Sequence, residues 1–322
     1  MNILFVVHRY APFQGGSEIY VQNMAEETLR RGHSVAVFSG EHKGNLNGIT
    51  VTSDSSILLA KWDLIVVHGG GVAIQDFVLA NANKIESPIL YMLILPNDSE
   101  ICVRALNSCE LIGCSTYEDF DHCAKYNVLQ KSVQVRHGIN PANCWGSTGF
   151  KEKYGLVGKK MFLSCGGYWP NKAMKELADI FTVANLPNSV LVTTGYDNRF
   201  NLMPPARSNV MPLLLDDRTE MLSALYDADC LLMHSKEEGF GLVLLEAMLN
   251  QTPWIARRIA GAKSLINFGQ TYESDAELLT LLRKFDRNHF NIKAAYEHVA
   301  SNHLISNTVD DIENAARLTS RK

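Results

Sequence analysis

Short apolar β-type runs alternate with helical periodicity almost from end to end of this 322-residue chain, and that alternation constrains the fold more than any other feature. It is the signature of βαβ units built around parallel sheets. In the first half the strand-like runs are NILFVV (2–7), SVAVFS (34–39), DLIVVH (63–68), ILYMLI (89–94), ELIGCS (110–115) and SVQVRH (132–137). Between the first two, residues 17–31 place Ile19, Met24, Ala25 and Leu29 near one helical face, with Ser17 as the candidate N-cap. A second helix is expected over TYEDFDHCAKYN, residues 116–127.

The stretch GINPANCWGSTG (138–149) gathers Pro, Asn, Ser and Gly between two periodic regions, so the interdomain linker is placed there. The pattern then restarts with MFLSCG (161–166), SVLVTTG (189–195), CLLMHS (230–235) and PWIARR (253–258), and with helices near 172–184, 218–227 and 242–250. Beyond about residue 274 it is helical only, in three pieces ending near Leu318. Length and pattern together predict two domains, residues 1–143 and 144–322, the second carrying the helical tail.

Thirty Lys and Arg against thirty-four Asp and Glu leave a formal charge of -4, so no overall basic field draws the chain to nucleic acid. The seven cysteines, at 102, 109, 114, 123, 144, 165 and 230, form no C-x-x-C pair, and neither a zinc site nor a disulfide framework is expected. A reducing cytoplasm fits that usage. MNILFVVHRY reads as a first buried strand, and PILYMLIL (88–95) is far too short to span a bilayer. Membrane contact is expected to be peripheral at most, at the inner face.

The segment SKEEGFGLVLLEAMLNQTPWIA (235–256) carries the chemistry. It follows a buried strand, turns through glycines and enters a helix whose apolar face is Leu244, Leu245, Met248 and Leu249. The backbone N–H groups of Gly239, Phe240, Gly241, Leu242 and Val243 are thereby offered at a helix start, a natural seat for a diphosphate, and the two glycines allow close approach. Glu238 precedes the helix and Glu246 lies about a turn inside it, so two carboxylates reach one ligand from different sides. Carboxylates accept hydrogen bonds from paired hydroxyls such as those of a hexose or a ribose.

EGFGLVLLEA at 238–247, followed by TPWIA, resembles the donor motif of the retaining, GT-B-fold glycosyltransferases of family 4, the glycosyl transferases group 1. Residues 10–38 resemble that family's first strand, loop, helix and strand, with Tyr10, Pro12, Gly15, Gly16, Glu18, Gly32 and His33 in the expected places. SCGGYWPNKAMKEL (164–177) resembles its G-R-x-x-x-x-K-G segment, with Gly166 and Lys172 matching. Gly167 stands in place of the arginine and Ala173 in place of the second glycine; Arg199 is a candidate for the missing charge. Three further departures are the apolar Met92, Leu93 and Ile94 where many relatives place a histidine, AGAKS (260–264) in place of Gly-Gly-x-Pro-Glu, and RHGIN in place of N-G-I-D, with His137 and Asn140 substituted.

The resemblance implies an α/β fold of two Rossmann-like domains whose parallel sheets face across a cleft, with a C-terminal helix packing back on the first domain. It implies transfer of a hexose-type sugar, with retention of configuration, from a nucleotide-diphosphate donor to a glycan, glycolipid or other hydroxyl acceptor. A UDP-sugar is the default and a GDP-sugar the next choice. Lys172 and Glu238 are the implied catalytic residues; Gly16, Gly166, residues 239–243 and Glu246 complete the donor site; Gly15, Gly16, Ser17 and His68 are assigned to the acceptor side. The nucleotide-sugar is a co-substrate and no metal or other cofactor is expected. Asp227-Ala228-Asp229 spells the D-x-D of metal-dependent transferases, but it precedes a strand where ligands of open sheets gather after one. Gly69-Gly70-Gly71 is too generic a run to carry a motif. A catalytically silent nucleotide-sugar-binding module and a nucleotide-sugar epimerase are the alternatives; a dinucleotide oxidoreductase lacks its G-x-G-x-x-G with a following acid.

Overall fold

The computed structural model describes residues 1–13, 15–68 and 72–320. The chain divides into two compact units, one formed by Met1–Asn140 together with the chain from Asn302 onward, the other by Pro141–Ser301.

The first unit contains β1 (Asn2–Val7), α1 (Gly16–Arg30), β2 (Ser34–Ser39), β3 (Gly44–Leu46), β4 (Ile49–Thr52), β5 (Leu64–His68), α2 (Val72–Asn81), β6 (Ile89–Met92), α3 (Glu100–Ser108), β7 (Leu111–Cys114), α4 (Tyr117–Lys125) and β8 (Ser132–Gln134). Its sheet runs in the order β3-β4-β2-β1-β5-β6-β7-β8. β1 pairs in parallel with β2 on one side and β5 on the other, which makes it a central strand, and its buried apolar run needs no polar alternation. The sheet is not wholly parallel: β3 and β4 form an antiparallel hairpin absent from the sequence reading. Its turn holds Asn47 at φ 51° and Gly48 at φ 83°, the left-handed pair that a two-residue hairpin turn demands.

The second unit contains α5 (Phe150–Lys153), β9 (Lys160–Cys165), α6 (Met174–Ala184), β10 (Ser189–Gly195), β11 (Val210–Leu214), α7 (Arg218–Asp227), β12 (Cys230–Met233), α8 (Leu242–Leu249), β13 (Trp254–Arg257), α9 (Ala260–Ser264), β14 (Gln270–Tyr272), α10 (Asp275–Arg283) and α11 (Ile292–Asn302). Its parallel sheet is ordered β11-β10-β9-β12-β13-β14. Phe162, Leu191, Leu232 and Ile255 from four of these strands meet Leu177, Phe181, Leu278 and Leu282 of α6 and α10 in one core. Both sheets reverse strand order once, between β1 and β5 and between β9 and β12, and open α/β sheets receive ligands beyond the strand ends at such points.

The last helix, α12 (Ile305–Thr319), packs with the first unit, so the residues grouped in sequence as 144–322 divide between the two units. Val309, Ile312, Ala315 and Ala316 are buried. Arg31 binds Asp310 and Glu313 at 2.7 and 3.0 Å, and Arg136 grips Asp311 with Nε at 2.8 Å and Nη2 at 2.6 Å. Ile139 pairs with Leu304 ahead of the helix, and Gly138 permits it: a Cβ there would lie 2.3 Å from the Leu304 carbonyl oxygen.

Candidate functional site

In the second unit, the loops after β9 and β12 carry the expected donor residues to one place. Gly166 follows β9 at φ 140° and Lys172 ends a 3-10 turn over Pro170–Lys172. A Cβ on Gly166 would sit 3.4 Å from Lys172 Cε, so the lysine stem lies along the glycine. The loop after β12 is clipped to this turn by Lys236 N–H donating to the Asn171 carbonyl at 2.7 Å. Lys172 Nζ donates to Glu238 Oε1, which also accepts from the Ser235 hydroxyl at 2.9 Å. Ser235, at the end of the run CLLMHS, thus supports Glu238 from three residues upstream, a local S-x-x-E spacing readable in the sequence.

α8 begins with Gly241 as its N-cap at φ 88°, a left-handed conformation that disfavours any side chain. The N-cap offers no side-chain bond, and while the Leu244 N–H donates to the Gly241 carbonyl at 2.9 Å, the N–H groups of Leu242 and Val243 are those a ligand at the helix start would meet. Gly239, Leu242 and Val243 are partly exposed, whereas Phe240 and Gly241 are buried. Phe240 is held from behind by α9: a Cβ on Gly261 would approach its carbonyl oxygen to 2.0 Å. The glycine of AGAKS therefore does steric work even though the motif's Pro and Glu are absent.

Glu246 is buried on α8, and its Oε1 accepts from Arg218 Nη2 at 2.5 Å. Arg218 comes from a different element, and no local pattern pointed to it. Two ion pairs, Lys172 with Glu238 and Arg218 with Glu246, thus flank the end of β9. The thiol of Cys165 feels all four groups. Burial pushes it up to about 12; the nearby Glu246 and Glu238 charges raise it further, while Lys172 and Arg218 pull the other way. The thiol is therefore neutral at pH 7.

The position of the expected arginine is filled differently. A Cβ on Gly167 would lie 2.7 Å from Trp169 Nε1, so the indole takes the space a longer side chain would need. Trp169 Nε1 and Arg199 Nε both donate to Asp197 Oδ2, at 3.4 and 2.5 Å. Arg199 is thus tied to Asp197 with its side chain 57% exposed, and the guanidinium found beside the motif carboxylates is that of Arg218. Ala173, standing for the second glycine, keeps the glycine-like backbone at φ 50°.

In the first unit, α1 starts after Gly15 and its N-cap makes no side-chain bond, so Ser17 does not cap it; Ser17 and Gly16 are exposed within the first turn. Glu18 covers this helix start, since a Cβ on Gly15 would meet its Oε2 at 2.1 Å. The Glu18 carboxylate pairs with Arg9 at 3.0 Å, and the Arg9 guanidinium lies 4.9 Å from the centre of the Phe13 ring. An acid at a helix N-terminus is favourable, and it makes the Gly-Gly turn less of a bare anion seat than the sequence suggests. His68 ends β5 but is 1% exposed, edge-on to Tyr20 at 5.2 Å, and among the described residues its Nδ1 has no hydrogen-bond partner. Burial pushes its pKa down to about 4, so the ring is neutral at pH 7. His137 stacks on the same tyrosine at 5.0 Å, and burial, then the His68 and His303 charges, push it down to about 3. Met92 and Leu93 are buried, as their apolar character suggests. Gly69-Gly70-Gly71 lies outside the described residues.

Asp227 and Asp229 have structural partners. Asp227 Oδ2 accepts from the backbone N–H groups of Gly149, Phe150 and Lys151 at 3.2, 2.8 and 3.1 Å, which caps α5. Asp229 Oδ2 takes the Met161 N–H and Lys151 Nζ, each at 2.8 Å. Among the described residues, no group of three or more His, Cys, Asp or Glu could hold a metal ion, and no helix is long and apolar enough to cross a membrane.

Residues 149–275, inside the second unit, match the family model described as glycosyl transferases group 1. No curated protein matches the chain. Among solved structures, the chain is similar to HepE from Anabaena in complex with UDP and glucose, at 17% identity and a TM-score of 0.76, covering 99% of this chain and 100% of that one. Its fold is GT-B. The sucrose-phosphate synthase of Thermosynechococcus elongatus aligns over 100% of both chains at 16% identity and a TM-score of 0.82. An α,α-trehalose-phosphate synthase (UDP-forming) from Burkholderia xenovorans, in complex with glucose-6-phosphate, aligns over 98% of this chain and 100% of that one at 14% identity and a TM-score of 0.75.

Proposed function

We propose that the protein is a retaining glycosyltransferase that moves a hexose-type sugar from a nucleoside-diphosphate donor to a hydroxyl acceptor. The observation that carries this reading is the pair of carboxylates of EGFGLVLLEA, Glu238 and Glu246, each held by its own cation on either side of an uncapped helix start. The donor diphosphate rests on the N–H groups of residues 239–243, with Gly166 allowing approach and Lys172 balancing charge as the leaving group departs. Glu246 holds the ribose, and Glu238 orients the sugar hydroxyls. The acceptor hydroxyl attacks the anomeric carbon on the face from which the phosphate leaves; the C–O bond to phosphate breaks as the new one forms, and a phosphate oxygen takes the hydroxyl proton. No protein nucleophile is needed.

The glycine turn at Gly15, Gly16 and Ser17 serves the acceptor side, and His68, 1% exposed beside Tyr20, supports the packing behind it. The names of the similar structures, with UDP among their ligands and products, favour a UDP-sugar and a sugar or glycan acceptor. No metal is required, and the protein works in the cytoplasm or peripherally at the inner face of a membrane. Residues 1–143 act as the acceptor-side part and the nucleotide-sugar is bound within 144–322.

Trp169 over Gly167 favours one second reading, a module that binds the donor without turning it over, because the clamp then has a single lysine. Incubation with UDP-glucose, GDP-mannose and related donors plus mixed sugar acceptors, read by nucleoside-diphosphate release and proton NMR of the product anomer, separates the two. Turnover with retention, reduced at least about tenfold by Lys172→Ala, is the expected result. Binding without turnover establishes the silent module, and inversion contradicts the mechanism.

A further inference from the structure

Arg218 has no part in the chemistry above, yet it touches one of the residues on which that chemistry rests. It is the first residue of α7, directly after the N-cap Asp217. A cation there faces the positive pole of its own helix, so local electrostatics disfavour it. What holds it lies on α8: Nη2 donates to Glu246 Oε1 at 2.5 Å. The same nitrogen is 3.7 Å from the Cys144 sulfur, and among the described residues the buried Nε has no acceptor, so Glu246 is the charge that the guanidinium answers. Burial works against the charge on Arg218, and the Glu246 carboxylate outweighs it, so the guanidinium stays charged.

The consequence falls on Glu246. Its side chain is 9% exposed, and the bond to Arg218 occupies and anchors Oε1. Among the described residues Oε2 takes no hydrogen bond, which leaves it as the acceptor a ligand can use. A carboxylate held at one oxygen presents the other from a set position, whereas one free to turn accommodates whatever donor is near. We propose that Arg218 is a positioning residue that locks Glu246 against the ribose diol and so makes the site select ribonucleotides over deoxyribonucleotides. The proposal rests on the donor-site reading above.

The test is calorimetric titration with UDP, GDP and ADP, followed by the 2′-deoxy counterpart of the nucleotide that wild type binds. Wild type should prefer the ribonucleotide at least about tenfold, the scale of one hydrogen bond to a charged group. Arg218→Gln should bring that ratio below about threefold, mostly by weakening the ribonucleotide, and Arg218→Lys should recover part of it. In a Glu246→Gln background, Arg218→Gln should change the ratio no further. An unchanged ratio in Arg218→Gln with both ligands equally weakened would overturn the proposal in favour of plain structural support. The corresponding nucleoside monophosphate is titrated alongside, and a loss larger for the diphosphate than for the monophosphate while the ratio holds would also overturn the proposal, assigning Arg218 to the phosphates. If Arg218→Gln does not fold, Arg218→Lys carries the same comparison: a lowered ratio supports the proposal and an unchanged one overturns it. Wild-type binding of none of the three nucleotides overturns the donor-site reading itself, and this proposal with it.

Discussion

Lowering the pH from about 7.5 to about 5 should remove about 2 kcal/mol of stability for each of His68, His137 and His234. All three are buried with depressed pKa values, about 4 for His68 and His234 and about 3 for His137. The native state therefore keeps a neutral ring where the unfolded chain, with an ordinary value near 6.5, takes a proton. Stability from this source is complete above about pH 6.5 and is lost progressively as the pH falls towards 4. At about pH 5 the unfolded ring is almost fully protonated and the native ring is not, and the ratio of the two binding terms gives about 2 kcal/mol per group. For His234 the geometry explains the resistance. Burial comes first, and then Arg257, whose Nη2 lies 3.1 Å from Nε2 while Nδ1 meets the Tyr272 hydroxyl at 2.5 Å, so a second ring proton would oppose the guanidinium. The first unit should lose about 4 kcal/mol and the second about 2. Guanidinium unfolding of wild type and of His68→Gln/His137→Gln at the two pH values, each referred to its own value at neutral pH, measures this. An acid loss as large in the double variant as in wild type would refute the reasoning.

Gly261→Ala drives a Cβ into the Phe240 carbonyl, 2.0 Å away in the present backbone, so it should cost about 1–3 kcal/mol and weaken nucleotide binding together, measurable by denaturation and calorimetry. Asp227→Ala removes the acceptor of three backbone N–H groups and should cost about 1–3 kcal/mol while leaving nucleotide affinity and any response to magnesium or chelator unchanged. A magnesium dependence abolished by that variant would return Asp227 and Asp229 to the active site.

The βαβ alternation was legible because the central strands are continuous apolar runs. β1, β5 and β10 stand close to where NILFVV, DLIVVH and SVLVTTG place them. Among the elements that escaped, β11 and β14 are short edge pieces whose burial is incomplete and whose composition is mixed, and helices α2 and α3 escaped as well. The β3–β4 hairpin is a different case, since Asn47-Gly48 between alternating residues was a usable turn signal. Within the site, the glycines and acids of EGFGLVLLEA could be read because local backbone geometry ties them together. Arg218 and Trp169 could not, because each acts by reaching across to another element or folding over a neighbour. Ser17 illustrates the limit of cap rules: the helix starts one residue earlier, at Gly16, and Glu18 rather than a hydroxyl covers its end.

The central claim, a nucleotide-sugar site built on α8, is tested most directly by calorimetric binding of UDP, GDP, ADP and their common sugar conjugates to wild type and to Glu246→Ala. The account predicts that one nucleotide and its conjugates bind wild type and bind Glu246→Ala at least about tenfold more weakly. Equal binding by both proteins, or binding by neither, would contradict it.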